Sequence, residues 1–211
     1  SDPQTADNFG IAIDIDGDVL VVGANNEDQL GADAGAVYIY RFDGANWNQE
    51  IKLLGSDSDA GDLFGAALAL DGDTLLVGAP GDPESGDTIA MQALLYYGSE
   101  SGLDPSVQWA VGDFPEEMQY GSSVASAGDV NGDGYADVLV GARAFDVDDL
   151  RNPGRAFLYL GSDSRPSTEA DWIATRSAND EELGTVVCWA GDVNGGDDFE
   201  VGISAPGRTE R

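Results

Sequence analysis

Histidine is absent from the 211 residues, and lysine and cysteine occur once each, as Lys52 and Cys188. Without imidazole there is no histidine general base, no histidine-ligated zinc and no Ser-His-Asp triad. A lone cysteine forms neither an internal disulfide nor a cysteine metal cluster. Within Thr185-Val186-Val187-Cys188-Trp189 it reads as a small buried apolar residue. Bases are scarce, 9 against 40 acids, for a formal charge of −31. That excludes nucleic acid, whose binders displace counterions with Lys and Arg, and argues against an anionic membrane surface. No apolar run approaches the roughly 18 residues of a membrane span. The opening Ser1-Asp2-Pro3 carries no signal peptide and reads as a processed or excised segment.

The apolar fraction, 42%, is too high for a disordered acidic tail. A folded chain of this length buries roughly 70% of its unfolded surface, enough for a true core. Abundant carboxylates make hard cations, calcium or magnesium, the natural inorganic partner. The 29 glycines imply many tight turns.

An aromatic residue or Leu followed by Gly recurs as Phe9-Gly10, Phe64-Gly65, Tyr120-Gly121 and Leu183-Gly184, at steps of 55, 56 and 63 residues. Each pair precedes an apolar run, a turn, a second apolar run and then Gly23-Ala24, Gly78-Ala79-Pro80, Gly141-Ala142 or Ser204-Ala205-Pro206. The two motifs stand 13, 13, 20 and 20 residues apart, so the last two units share a seven-residue enlargement. Repetition at such a period marks a repeat architecture.

Within the first three units, β-branched, aromatic or alternating runs predict four strands each. These are residues 11–15, 19–22, 36–42 and 47–54; then 66–70, 74–77, 90–97 and 107–111; then 122–127, 137–140, 155–160 and 171–175. The fourth unit has two, 185–190 and 199–203. Asp16-Gly17, Asp43-Gly44, Asp71-Gly72 and Gly98-Ser99 mark turns, and no amphipathic helix is evident. The expected fold is all-β: propeller blades, each a four-stranded antiparallel meander that must stack on its neighbours. The span 1–211 divides into repeats at about 9–63, 64–119, 120–182 and 183–211, the last incomplete. That is 14 strands, about three and a half blades. The missing outer strands imply either a longer polypeptide, the favoured reading, or closure by a second copy.

These repeats resemble the FG-GAP family, the repeat of the integrin alpha-subunit propeller and of many bacterial surface proteins. The resemblance covers nearly the whole chain, although Gly-Ala-Pro is complete only in the second unit and Phe-Gly only in the first two. It implies a propeller, usually seven-bladed, with calcium bound in some turns between a blade's first and second strands.

Carried onto this sequence, the calcium pattern falls on the long turn of the third unit. Asp129, Asn131, Asp133 and Asp137 supply side-chain oxygens, Tyr135 its backbone carbonyl, and Gly134 the bend. Charge points the same way: acidic side chains about 4 Å apart repel by about 1 kcal/mol even in water, and a divalent cation reverses that sign. The fourth unit keeps Asp192, Asn194 and Glu200 but has Gly196 at the fifth position, so Asp197 or Asp198 must swing in. Asp16-Gly17-Asp18 and Asp71-Gly72-Asp73 are too short to wrap a six- to eight-coordinate ion.

Acidic connections follow each second strand, at 25–34, 81–87 and 146–152. By the resemblance they lie opposite the calcium turns, on the face that contacts ligands and the partner subunit in integrin-like propellers. From the residues alone they are solvated loops, with Arg143, Arg151 and Arg155 placed to pair with nearby Asp. Trp47, Trp109, Trp172 and Trp189 read as packing within or between blades.

The functional expectation is a calcium-stabilised, non-catalytic adhesion or interaction scaffold at the cell surface or outside the cell, with a protein or glycan ligand. A structural subunit of a surface fibre or layer is the second reading. A propeller-based hydrolase or lyase is the third, although no carboxylate pair outside the calcium turns suggests one.

Overall fold

The computed structural model describes residues 6–56, 58–82, 91–99, 102–112, 118–195 and 199–207. Among them are 15 strands and no helix, and therefore no helix long and apolar enough to cross a membrane. The first sheet is β1 (Ile13–Asp16), β2 (Val19–Ala24), β3 (Ala36–Phe42) and β4 (Trp47–Leu53), paired in that order. The second runs β5 (Ala67–Asp71), β6 (Thr74–Ala79) and β7 (Gln92–Ser99), where β7 pairs both with β8 (Gly102–Leu103) and with β9 (Trp109–Gly112). The third is β10 (Tyr120–Gly128), β11 (Asp137–Ala142), β12 (Arg155–Tyr159) and β13 (Trp172–Thr175). β14 (Val187–Gly191) and β15 (Glu200–Ile203) form a two-stranded fourth sheet. All pairings are antiparallel, as a meander with short turns requires.

Burial follows position in the sheet. The second strands Val-Leu-Val-Val-Gly-Ala, Thr-Leu-Leu-Val-Gly-Ala and Asp-Val-Leu-Val-Gly-Ala are buried along most or all of their length: the second and third sheets have a sheet on each face, and the first has the second sheet on one. The outer strand β4, Trp-Asn-Gln-Glu-Ile-Lys-Leu, is exposed along its first four residues.

The sheets are ordered radially through their first strands: β1 lies against β5, β5 against β10 and β10 against β14. The core is accordingly a series of layers between sheets. Val21, Val37 and Ile39 of the first sheet pack with Leu75, Val77 and Tyr96 of the second. Leu76, Leu95 and Trp109 of the second pack with Val138, Val140 and Phe157 of the third, and Leu139 and Ala156 of the third pack with Val187 of the fourth. Phe64 and Tyr120, both 0% exposed, sit in the first two layers. Full burial of such a side chain contributes about 1.5–3 kcal/mol.

The two repeated motifs meet at these interfaces. The first-motif glycines Gly10, Gly65, Gly121 and Gly184 have φ of 94°, 88°, 86° and 86°, in the left-handed region. The second-motif glycines face the next sheet. A Cβ at Gly23, Gly78 or Gly141 would lie 2.1, 2.0 or 2.1 Å from the carbonyl oxygen of Gly65, Gly121 or Gly184. The recurring Gly-Ala is thus the place where one sheet's backbone touches the next sheet's Phe-Gly or its equivalent. Parallel bridges Gly35–Phe64 and Gly154–Leu183 add a second stitch between consecutive sheets.

One expectation is corrected. Cys188 is exposed, not buried. Val187 turns toward the third sheet and bonds Ser123, and strand alternation turns Cys188 the other way. Of the four tryptophans only Trp109 is buried, because the following blade's connection covers it and Ser167 accepts its Nε1–H at 3.0 Å. Trp47, Trp172 and Trp189 are partly exposed, yet Trp47 packs 5.2 Å from the Phe42 ring of its own sheet, and Trp189 packs 6.1 Å from the Phe199 ring and beside Gly128 of the third sheet, as packing within and between blades requires.

Candidate metal centre

The β10–β11 turn is built by its own carboxylates. Asp129 accepts the Asp133 amide through Oδ1 at 2.9 Å and the Gly134 amide through Oδ2 at 2.7 Å. Asn131 Oδ1 shares the Asp133 amide at 3.0 Å, and Asp133 accepts the Tyr135 amide at 3.0 Å and the Asn131 side-chain amide at 2.8 Å. Gly132 and Gly134, at φ of 75° and 92°, let so short a segment curl around its side chains. Asp137 begins β11 and is 1% exposed. It accepts Val130 N at 2.8 Å and Gly161 N at 2.7 Å, which ties the turn to the β12–β13 connection. Burial above all holds the Asp137 carboxyl above the ordinary carboxylate range; its two amide bonds oppose this, and the negative charges of Asp133 and Asp129 add to it.

The fold therefore brings Asp129, Asn131, Asp133, Tyr135 and Asp137 onto one turn, with oxygen as the side-chain donor of the acids and the amide. That donor set suits a hard cation. Asp129, Asn131 and Asp133 are turned onto the turn's own backbone amides. Among the described residues, no three Asp, Glu, His or Cys side chains converge on one centre.

The β14–β15 turn repeats part of this pattern. Val193 N donates to Glu200 Oε2 at 2.9 Å, as Val130 does to Asp137, and Asn194 Nδ2 donates to Glu200 Oε1. Asp192 Oδ1 accepts Gly195 N at 2.6 Å. Asp197 and Asp198, the candidate replacements for the missing fifth ligand, lie outside the described residues.

The two short turns span two residues each, Gly17-Asp18 and Gly72-Asp73. Their acids have a role that sequence reasoning missed. Asp14 Oδ2 accepts Leu70 N and Asp16 Oδ2 accepts Gly72 N, both at 2.7 Å, while Asp71 Oδ2 accepts the Ser126 hydroxyl at 2.6 Å. Each bond joins a first strand or its turn to the next sheet. The alternation Asp14-Ile15-Asp16 was the available signal, but it reads as exposed polar positions until the neighbouring sheet is placed.

The expected Arg–Asp pairing around the 146–152 connection is replaced by other contacts. Arg155 stacks 4.3 Å from the Phe145 ring, and Arg143 donates to Gln119 Oε1. Among the described residues the ion pairs are Arg41 with Asp18 and Glu50, and Lys52 with Glu27.

Radially stacked four-stranded meanders, joined glycine to glycine, define a protein built of β-propeller blades. The FG-GAP repeat model matches residues 120–159, and a related FG-GAP repeat model matches 1–40 and 47–90. The chain belongs to the FG-GAP repeat, integrin-alpha-like family. It is 34% identical over 137 residues to integrin alpha-7 of Rattus norvegicus, covering 59% of this chain and 11% of that protein. It is 30% identical over 149 residues to integrin alpha-3 of Mus musculus, covering 68% and 13%. Phosphatidylinositol-glycan-specific phospholipase D of Bos taurus is 30% identical over 141 residues, covering 63% and 16%. The chain thus spans between 11% and 16% of the length of these curated relatives.

Proposed function

We propose that this chain is a calcium-stabilised, non-catalytic scaffold for adhesion or protein interaction, working at the cell surface or outside the cell. The observation that carries it is the β10–β11 turn, where a nearly fully buried carboxylate, Asp137, stands beside two further acids and an amide on nine residues. Asp129, Asn131, Asp133 and Asp137 would hold the ion through side-chain oxygens, and Tyr135 through its carbonyl. Asp192, Asn194, Asp198 and Glu200 would hold a second, weaker one. Bound calcium supplies charge neutralisation and a bridge between two strands of a blade, so its binding free energy adds to folding. Millimolar extracellular calcium matches weak sites of this kind.

The integrin relatives support a protein or glycan ligand at a surface. The exposed Ile11, Ile13 and Ile15 on one flank and Val186 on the other support completion by further blades, from the same polypeptide or a second copy. The phospholipase D relative is named for an activity, but the match covers 16% of that protein.

Calorimetric melting in calcium and in chelator tests the metal. At calcium tenfold above the dissociation constant, linkage gives about 1.4 kcal/mol per site, roughly 3–6 °C for a chain of this size. Asp133→Ala is expected to abolish most of that gain. Equal melting temperatures in calcium and chelator defeat the reading.

A further inference from the structure

The second and third sheets meet with turns of unequal length. The β5–β6 turn is two residues, whereas the β10–β11 turn runs from Asp129 to Asp137. The longer turn leaves a cleft of about 270 Å³ beside the shorter one. This lies just below the roughly 300–1,000 Å³ of ordinary small-molecule sites and suits one long side chain.

Its inner end is apolar, with buried Leu76, Leu95 and Val138 among the lining residues. Around them stand hydroxyls of Thr74, Tyr97, Ser162 and Ser164. Exposed Asp71 and Asp163 add carboxylates at the rim. Asp71 spends Oδ2 on Ser126, and among the described residues its Oδ1 and the Asp163 carboxylate accept no hydrogen bond. Among the described residues no basic side chain lines the cleft. The nearby Arg165 is directed elsewhere, toward Gln108 O at 3.4 Å.

We propose that this cleft receives a single basic side chain of a partner polypeptide. An apolar stem matches Leu76 and Leu95, and a cationic end matches the rim carboxylates and the hydroxyl oxygens. Tyr97 and Tyr135 are both lining residues, so two aromatic rings stand close to the cation. The net charge of −31 draws basic segments toward this surface from a distance. The cleft shares Tyr135 and Asp137 with the candidate metal turn, so the binding test is run in chelator to keep calcium out of its wall.

The test is an amide NMR titration of the ¹⁵N-labelled chain with the end-blocked peptide Gly-Gly-Lys-Gly-Gly and with its ε-acetyl-lysine form. Saturable shifts are expected at Thr74, Tyr97 and residues 162–164. Acetylation, which removes a charged hydrogen bond, should weaken binding about tenfold or more. Asp163→Asn, a rim change, should weaken it about threefold, and Ser164→Trp, on an exposed turn, should abolish it. Equal binding of the acetylated peptide overturns the proposal. So do shifts scattered over the acidic surface and untouched by either substitution, which mean diffuse counterion attraction only.

Discussion

A methyl group at position 78 would lie 2.0 Å from the Gly121 carbonyl oxygen and 3.2 Å from Ala67 Cβ, neither of them the free end of a flexible side chain. Gly78→Ala should therefore cost about 3 kcal/mol or more, by forcing two sheets apart. Gly132→Ala is the matched comparison: nothing lies within 4 Å of its added carbon, and only its φ of 75° resists, for about 1–2 kcal/mol. Urea unfolding of both variants measures the difference, and equal losses would remove close sheet contact as the reason for the motif. The spacing of Gly23, Gly78 and Gly141 was readable from the sequence, because it repeats. What presses on each of them was not, since the carbonyl belongs to the following repeat and becomes a neighbour only once the sheets are stacked. The same holds for Asp14, Asp16 and Asp71, whose partners are amides or a hydroxyl of the next sheet. Cys188 was misread because strand alternation says which residues share a face, not which face is covered.

Strands were more legible than single residues. Alternation and β-branching placed nearly all of them, and the missed ones were short or edge features: β8, two residues that extend the β7 hairpin, and the start of β9 at Trp109. The candidate turn was legible as a donor list, while the burial of Asp137 came only from packing β11 between sheets. The third sheet carries a further consequence of such packing. Tyr120, opening β10, donates to the hydroxyl of Tyr159, closing β12, at 2.8 Å, and both rings are buried. Burial pushes both phenols above the ordinary value of about 10; for Tyr120 the nearby Tyr159 adds to the rise, while for Tyr159 the bond from Tyr120 partly offsets it. A raised phenol favours the fold while protonated. Its contribution is therefore complete below about 10 and is lost as pH climbs through the folded-state value. Absorbance at 295 nm during alkaline titration should show these two tyrosines ionising late and together with unfolding. Early ionisation with intact near-ultraviolet circular dichroism would contradict the buried pair.

At the scale of the whole molecule, 31 uncompensated negative charges act against every interface between sheets. Compaction brings them closer than in the unfolded chain, so repulsion opposes folding and screening relieves it. The Debye length falls from about 30 Å at 0.01 M to about 8 Å at 0.15 M ionic strength, less than the width of the domain. The melting temperature in chelator should consequently rise with sodium chloride over that range. This general effect must be separated from a site. Calcium held at the β10–β11 turn should raise the melting temperature above sodium at matched ionic strength. Asp137→Asn should remove that excess, leaving the sodium response as it was, because one charge in 31 barely changes the total. A calcium excess that survives Asp137→Asn assigns the ion to the acidic surface at large or to the β14–β15 turn, and an absent sodium response means that the repeats' contacts already outweigh the repulsion.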